Sequence, residues 1–278
     1  MRLLPPAPNL STALRVTALR GTALRVTALR GTFVQGATVL GTTILGITMV
    51  GMADLTGGAA LAAGGVTITS YGHSALLISG GGKTVLVNPF KAVACAAGLS
   101  EPRVSADVIL ASSNLRDEGA PVARGRMLVN PGSYRIAGLQ IEGIAAPHDR
   151  FGGRRFGQAT LWRWRQGGLD FAHLGGTAAS LSPSDRVLLG RPDVLIIGVG
   201  GGAKVYDGSE AAEVVRELRP RRVIPVQYVS GRQAPKGCDQ GGVDPFLKAM
   251  SGTKVNRTGT TLSLPGKLGD GLVIELMR

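Results

Sequence analysis

The sequence has few of the side chains that carry enzyme chemistry. It contains three histidines and two cysteines, and aromatic residues make up 4% of the chain. No G-x-S-x-G motif is present, which argues against a serine hydrolase of the α/β-hydrolase type. The cysteines, Cys95 and Cys238, are too far apart in sequence for a C-x-x-C motif, which argues against a zinc knuckle or a thioredoxin-like site. The scarcity of aromatic residues also leaves few platforms on which nucleic acid bases could stack.

The composition is that of a globular, strand-rich protein. Hydrophobic residues make up 44% of the chain, and 42 glycines and 15 prolines are spread along it without a collagen-like period. Frequent glycine and proline indicate many tight turns between short strands. The formal net charge is +13, with the basic residues scattered. Scattered basic residues favour a solubilising surface; a small anionic substrate or ligand is a possible partner, and nucleic acid is not favoured.

The N-terminal region has the order of an export signal. Residues 1–32 form a basic leader in which the unit Thr-Ala-Leu-Arg occurs four times, and residues 33–65 form an apolar segment and linker. The segment resembles a secretory signal, because arginines are followed by an apolar run and then by an Ala-Leu-Ala site. If no cleavage occurs, residues 33–53 could instead serve as a membrane anchor. We expect an exported or anchored protein, with a cytoplasmic protein as the alternative. In an exported chain Cys95 and Cys238 could form a disulfide; otherwise they are two unpaired thiols.

Residues 66–278 read as a single α/β domain. The first half consists of short strand-like runs, beginning with a hairpin whose turn is Gly80-Gly81-Gly82-Lys83. In the second half, apolar runs at Val194–Val199 and Val223–Val226 flank a helix predicted at Ser209–Leu218, which is a β-α-β unit. A further helix is predicted at Val243–Met250. This order predicts two mixed β-sheets covered by helices on their outer faces, a four-layer αββα sandwich.

A glycine-rich run follows one of these strands. Gly198 to Ala203 matches a dinucleotide-binding fingerprint, but the next helix is predicted to begin only at Ser209. A pyrophosphate held by those glycines could not lie on the helix N-terminus, so nicotinamide or flavin binding is not favoured. We expect this loop to line a pocket.

Several segments, in order, resemble the metallo-β-lactamase-fold hydrolases, in particular the branch typified by ascorbate-6-phosphate lactonase. They are Gly72-His73-Ser74-Ala75, Val87-Asn88-Pro89-Phe90, Ser113 to Glu118, Ala146-Pro147-His148-Asp149, His173-Leu174-Gly175-Gly176 and Val223 to Tyr228. The resemblance covers nearly all of residues 66–278 and implies the fold of that family.

The metal motif of the family is degenerate in this chain. Where the family has H-x-H-x-D-H, the sequence has Ser113, Leu115, Asp117 and Glu118, so only the aspartate survives. Downstream, the resemblance assigns one retained histidine ligand to His148. It also places Gly176 at the bridging aspartate and Gln227 at the last histidine ligand.

The resemblance implies a hydrolase that uses metal-bound water. The remaining donors predict a mononuclear site for zinc, manganese or iron, with Asp117, Glu118 and His148 as ligands and Asp117 also catalytic; no metal at all is the alternative. We expect His73, Ser113, His173, Gly176 and Gln227 to line the pocket.

Three functions therefore stay open, and the residues do not decide whether the chain is an enzyme. The first is hydrolysis of an anionic ester, phosphoester or lactone. The second is a non-catalytic pseudoenzyme that binds a ligand or partner in the former active-site cleft. The third is a basic binder of nucleic acid or of a membrane surface, which would use the clustered arginines.

Overall fold

The computed structural model describes residues 64–231 and 233–278. The predicted leader and the predicted apolar segment lie outside the described residues, except for Gly64 and Gly65 at the segment's end. Among the residues described, no helix is long and apolar enough to cross a membrane.

The described chain alternates short strands with a few helices. The strands are β1 Gly65–Ser70, β2 Leu76–Gly80, β3 Lys83–Val87, β4 Ser105–Leu110, β5 Arg124–Leu128, β6 Gly132–Ile136, β7 Leu139–Pro147, β8 Gln158–Gln166, β9 Leu169–Leu174, β10 Val194–Gly198, β11 Arg222–Val226, β12 Lys254–Arg257, β13 Thr261–Pro265 and β14 Val273–Leu276. The α-helices are α1 Pro183–Leu189, α2 Gly208–Leu218 and α3 Asp244–Ala249, and a 3₁₀ turn covers Ala94–Ala96.

The strands form two mixed sheets, as the sequence predicts. The six-stranded sheet has the order β13-β1-β2-β3-β4-β5, and the eight-stranded sheet has the order β12-β14-β11-β10-β9-β8-β7-β6. In the first sheet β3, β4 and β5 are parallel. In the second, β9, β10, β11, β14 and β12 are parallel, and the antiparallel strands β8, β7 and β6 complete it.

The main core lies between the inner faces of the two sheets. Side chains alternate along each strand, so Trp162 and Trp164 of β8 point to the same face. Both are buried in this core, and Trp164 stacks on Phe171 of β9 with ring centroids 4.9 Å apart. Gln166 spans the two layers, because its side-chain amide donates to the carbonyls of Ile78 and Lys83 at 3.1 and 2.9 Å.

The α-helices belong to the eight-stranded side of the sandwich. Helix α2 is amphipathic and buries its apolar face in a second core with β10, while α1 contacts β7 and α3 packs on α2. A capping box of Asp207 and Glu210 begins α2. The helix therefore starts at Gly208, close to the predicted Ser209.

A disulfide joins Cys95 to Cys238, which is the bonded alternative that the sequence left open. It connects the 3₁₀ turn after β3 with the loop between β11 and α3. Two segments 143 residues apart in sequence are thereby tied beside the edge of the sheets where the candidate site lies.

Candidate functional site

The candidate site lies where several strands end. Strands β7, β9 and β11 run in the same direction, because the antiparallel strand β8 lies between β7 and β9. Their carboxyl ends therefore meet at one edge of the sheet, the usual place for a site in such folds. His148 follows β7, Gly176 follows β9 and Gln227 follows β11, while Ser113 and Glu118 reach them from the loop after β4.

Glu118 is at the centre of these residues. Its side chain is fully buried, and its Oε1 accepts a hydrogen bond of 2.8 Å from the Ser113 hydroxyl. Its Oε2 accepts a hydrogen bond of 3.0 Å from the side-chain amide N–H of Gln227. The orientation of that amide is fixed, because its Oε1 accepts a hydrogen bond from the backbone N–H of Gly176. Nε2 of His148, also fully buried, lies 2.7 Å from Oε1 of Glu118. That last pair is a close contact without the linear geometry of a hydrogen bond.

The cation at this centre is the ammonium of Lys204. Its Nζ donates to Oδ2 of Asp117 at 2.7 Å and lies 4.0 Å from Oε2 of Glu118, with only 13% of the lysine side chain exposed. Burial alone would lower the pKa of Lys204, but the two carboxylates raise it above its usual value. Lys204 is therefore charged at neutral pH.

Burial alone would also raise the pKa of Glu118. The contact with His148, the charge of Lys204 and the Ser113 hydroxyl outweigh this and lower it to about 2. The carboxyl group is therefore ionised at neutral pH, and its charge is stabilised by hydrogen bonding and by the ammonium of Lys204.

The loop that carries Lys204 is held from two sides. Arg150 donates to the carbonyls of Gly202 and Val205, and its guanidinium pairs with Glu210 at the start of α2. On the other side, Oδ2 of Asp239 accepts from the backbone N–H of Ala203 at 2.9 Å. Asp239 is the neighbour of the disulfide-bonded Cys238, so the disulfide lies one residue from a hydrogen bond that orients the lysine loop.

Three non-glycine residues at the site have left-handed backbone conformations. They are His73, Asn88 and Gln227, with φ of 50°, 41° and 52°. Such φ values cost free energy in residues with a Cβ and are common at functional sites. Asn88 orders the loop after β4, because its Oδ1 accepts from the backbone N–H and the hydroxyl of Ser112.

His173 lies within the same buried region, and its pKa is lowered to about 4. Burial is the main cause, while the charge of Glu118 acts weakly in the opposite direction. Among the described residues neither ring nitrogen of His173 has a hydrogen-bond partner. His173 is therefore a neutral imidazole at neutral pH.

Gly176 is packed directly against Glu118. A Cβ at position 176 would lie 2.6 Å from Oε2 of Glu118, and the backbone φ of Gly176 is +76°. An aspartate, or any other side chain, would therefore meet both a close contact and backbone strain here. Glycine at this position is a condition for placing Glu118 where it is.

A family model described as the β-lactamase superfamily domain matches residues 67–227. The chain belongs to the β-lactamase superfamily. No curated protein matches the sequence.

Solved structures agree with this membership. A candidate zinc-dependent hydrolase of the metallo-β-lactamase superfamily from Thermotoga maritima is 25% identical, with a TM-score of 0.59 over 77% of this chain and 100% of that protein. A candidate metal-dependent hydrolase from Parabacteroides distasonis is 14% identical, with a TM-score of 0.52 over 76% and 92%. The metallo-β-lactamase fold protein YhfI from Bacillus subtilis is 12% identical, with a TM-score of 0.50 over 76% and 96%. The last two show the fold alone.

The residues present do not fit the metal site that the superfamily implies. Within the described part of the chain, no group of three or more His, Cys, Asp or Glu side chains could hold a metal ion. Of the three predicted ligands, His148 and Glu118 are in contact with each other and Asp117 pairs with Lys204, whereas a hydrolytic zinc site usually takes three protein ligands and water. Nδ1 of His148 also has no hydrogen-bond partner among the described residues, although a ligating imidazole almost always donates from its second nitrogen.

The structure brings together most of the residues predicted for the superfamily site. Ser113, Gly176 and Gln227 contact the Glu118 centre, as does His148, whereas Asp117 pairs with Lys204. The predicted pocket residues His173 and His73 are adjacent to it: His173 is influenced by the charge of Glu118, and the His73 carbonyl accepts from the backbone N–H of Gln227. The three-ligand set itself stays a prediction.

Sequence reasoning missed three residues of the site, which are Lys204, Arg150 and Asp239. The glycine-rich run before Lys204 was the one available signal, since it predicts a loop beside a pocket. Nothing in the sequence indicates that this lysine pairs with an aspartate 87 residues earlier.

Proposed function

We propose that this chain is a non-hydrolytic member of the β-lactamase superfamily, in which an internal ion network replaces the metal centre and the function is binding. The observation that carries this proposal is the ammonium of Lys204, which lies 2.7 Å from Asp117 and 4.0 Å from Glu118. A divalent cation near the same carboxylates would be repelled by a charge that is already there.

The departures from the family motif support the proposal because they depend on one another. Gln227 presents an N–H group to Glu118, not a lone pair to a metal. Glu118 in turn takes the space that a side chain at position 176 would need. Each replacement fits the others, as expected of a centre rebuilt around hydrogen bonds and an ion pair.

Hydrolysis remains the second candidate, and the likeness to the Thermotoga maritima protein favours it. In that case Lys204 would have to move away, and Asp117, Glu118 and His148 would hold one zinc, manganese or iron ion. The substrate would be an anionic ester or phosphoester, or a lactone if the chain belongs to the ascorbate-6-phosphate lactonase branch.

Elemental analysis of the full chain, purified without chelator, tests the proposal. We expect substoichiometric zinc, manganese and iron, and no change in thermal midpoint when each metal is added. About one equivalent of metal per chain, lost in both Asp117→Ala and His148→Ala variants, would overturn the proposal and support hydrolysis.

A Lys204→Met variant sharpens this experiment, because methionine keeps much of the apolar stem and removes the charge. If Lys204 takes the place of a metal, this variant is the one expected to gain affinity for zinc. Lys248→Met, at an exposed position of α3, is the matched control and should stay metal-free.

We also propose that the protein is exported or membrane-anchored. The Cys95–Cys238 disulfide supports this, because disulfides persist in oxidising compartments and are rare in the cytosol. Fractionation of cells that express the full chain, followed by thiol labelling with and without reductant, tests it. Reduced chain found only in the cytosol would contradict the proposal.

A further inference from the structure

A cavity separate from the Glu118 centre lies at the outer end of the eight-stranded sheet. Its volume is about 570 Å³, within the range of small-molecule pockets. It is lined by the ends of three neighbouring parallel strands, with Tyr228 just beyond β11, Arg257 at the end of β12 and Leu276 at the end of β14. Ligands of α/β sheets bind at such carboxyl ends.

The polar groups of this cavity favour an anion. Arg257 and Arg278 both line it, and neither forms an ion pair with a described residue. The lining carboxylates are Asp244 and the terminal carboxylate of Arg278, and among the described residues neither forms an ion pair with Arg257, whose guanidinium is therefore available to an oxyanion. Ser230 adds a hydroxyl group that can donate to an oxyanion, while the Thr258 hydroxyl donates to the carbonyl of Leu276 at 3.5 Å.

The cavity also has an ordered apolar part. The hydroxyl of Tyr228 donates to the carbonyl of Met277 at 3.0 Å, which fixes the ring beside the side chains of Leu276 and Val243. Burial raises the pKa of Tyr228, with the Ser230 side chain and the charge of Arg257 acting in the opposite direction. The guanidinium of Arg257 is therefore close enough to the phenol to influence it.

We infer that this cavity binds a small organic oxyanion, a carboxylate or a phosphate monoester, whose charged group pairs with Arg257 and whose apolar body packs on Tyr228 and Leu276. Guanidinium groups suit both kinds of oxyanion, because their N–H groups form paired, charge-assisted hydrogen bonds. This inference rests on the proposed function only in treating the protein as a binder; the cavity does not involve the Glu118 centre.

Titration calorimetry of the full chain with three probes tests the inference. The probes are benzoate, phenyl phosphate and inorganic phosphate, each at low and at raised salt. We expect at least one aromatic probe to bind more tightly than inorganic phosphate, and to bind more weakly at raised salt. Benzoate against phenyl phosphate then distinguishes a carboxylate ligand from a phosphate ligand.

Two variants locate the binding. Arg257→Gln should weaken it about tenfold to hundredfold, the usual effect of losing hydrogen bonds from a charged group. Arg126→Gln, at an exposed position of β5, is the matched control and should bind like the wild type. Gly259→Leu should block the cavity without strain, because a Cβ there meets no atom within 4 Å.

The result that would overturn the inference is that no probe binds, or that both cavity variants bind like the wild type while remaining folded by circular dichroism. Metal content and probe hydrolysis are measured on the same samples. Metal-dependent hydrolysis would overturn the proposed function, whereas loss of benzoate binding in Arg257→Gln would still support this cavity.

Discussion

Replacing Lys204 by methionine should destabilise the fold strongly. Its Nζ lies 2.7 Å from an oxygen of Asp117 and 4.0 Å from an oxygen of Glu118. At an effective dielectric constant of about 20, the corresponding attractions are about 6 and about 4 kcal/mol. The desolvation of the ammonium, which methionine avoids, offsets much of this. We expect a net loss of about 3–5 kcal/mol, the usual result of leaving one partner of a buried pair alone.

The assay is urea unfolding at pH 7, with the Lys248→Met variant as control. Folded domains are typically stable by about 5–15 kcal/mol, so the predicted loss is readily measured as a shift in midpoint at unchanged slope. Adding Glu118→Gln to Lys204→Met removes the carboxylate that was left without its cation. We expect the two changes together to cost about 1–3 kcal/mol less than the sum of their separate effects.

A loss below about 1 kcal/mol for Lys204→Met, the value typical of exposed ion pairs, would refute the reasoning. Strict additivity of the two changes would do the same, because it would mean that Lys204 and Glu118 do not sense each other. Either result would remove the observation on which the proposed function depends.

Three further predictions concern stability. The pKa of His173 is lowered from 6.5 to about 4, so between these values the unfolded chain binds a proton that the folded chain does not. The contribution of His173 to the free energy of unfolding should therefore be fully present above pH 6.5 and fall by about 3 kcal/mol towards pH 4. Urea midpoints measure this, and the dependence on pH should be smaller in His173→Leu. Replacing Cys95 and Cys238 together by alanine should cost about 3–5 kcal/mol, because the bond closes a long loop, and an unchanged midpoint under reductant would contradict this. Gly176→Ala should be less stable than Gly252→Ala by about 2 kcal/mol in thermal or urea unfolding. Both glycines have positive φ, but of the two only Gly176 lies against another side chain, that of Glu118. Equal losses of stability would show that backbone strain is the whole effect.

The fold could be predicted from the sequence because its strongest signals are local. Short strand-like runs bounded by turn residues predicted most strands of the first half, and the β10-α2-β11 unit followed from two apolar runs around a predicted helix. The missed strands were β5, Arg124–Leu128, and β12, Lys254–Arg257, which lie at the edges of their sheets and are largely polar and exposed. Edge strands bury little, so their sequences carry little hydrophobic pattern.

Helix α1 was also missed, although its signal was present. Ser182 caps it, Pro183 is its first residue and Asp185 completes a capping box. The helix is only seven residues long, and such a short helix shows too little periodicity to stand out from a loop.

The candidate site could be predicted only in part. The resemblance predicted that Ser113, Glu118, His148 and Gln227 share one cleft, and the structure has them in contact, since each follows a recognisable strand. It could not supply Lys204, because the ion pair with Asp117 joins two loops whose approach depends on the packing of both sheets. Contacts of that kind have no local sequence pattern.

Lys204 also changes how the centre depends on its surroundings. A metal site is filled according to the free concentration of the ion, and its contribution to folding is lost when a chelator is added. A lysine side chain belongs to the protein and is present once per molecule at every concentration of protein and of metal ions. Under the proposed function, metal starvation, dialysis and competition from other cations therefore leave this centre intact, and only deprotonation of Lys204 or a movement of its loop removes the charge.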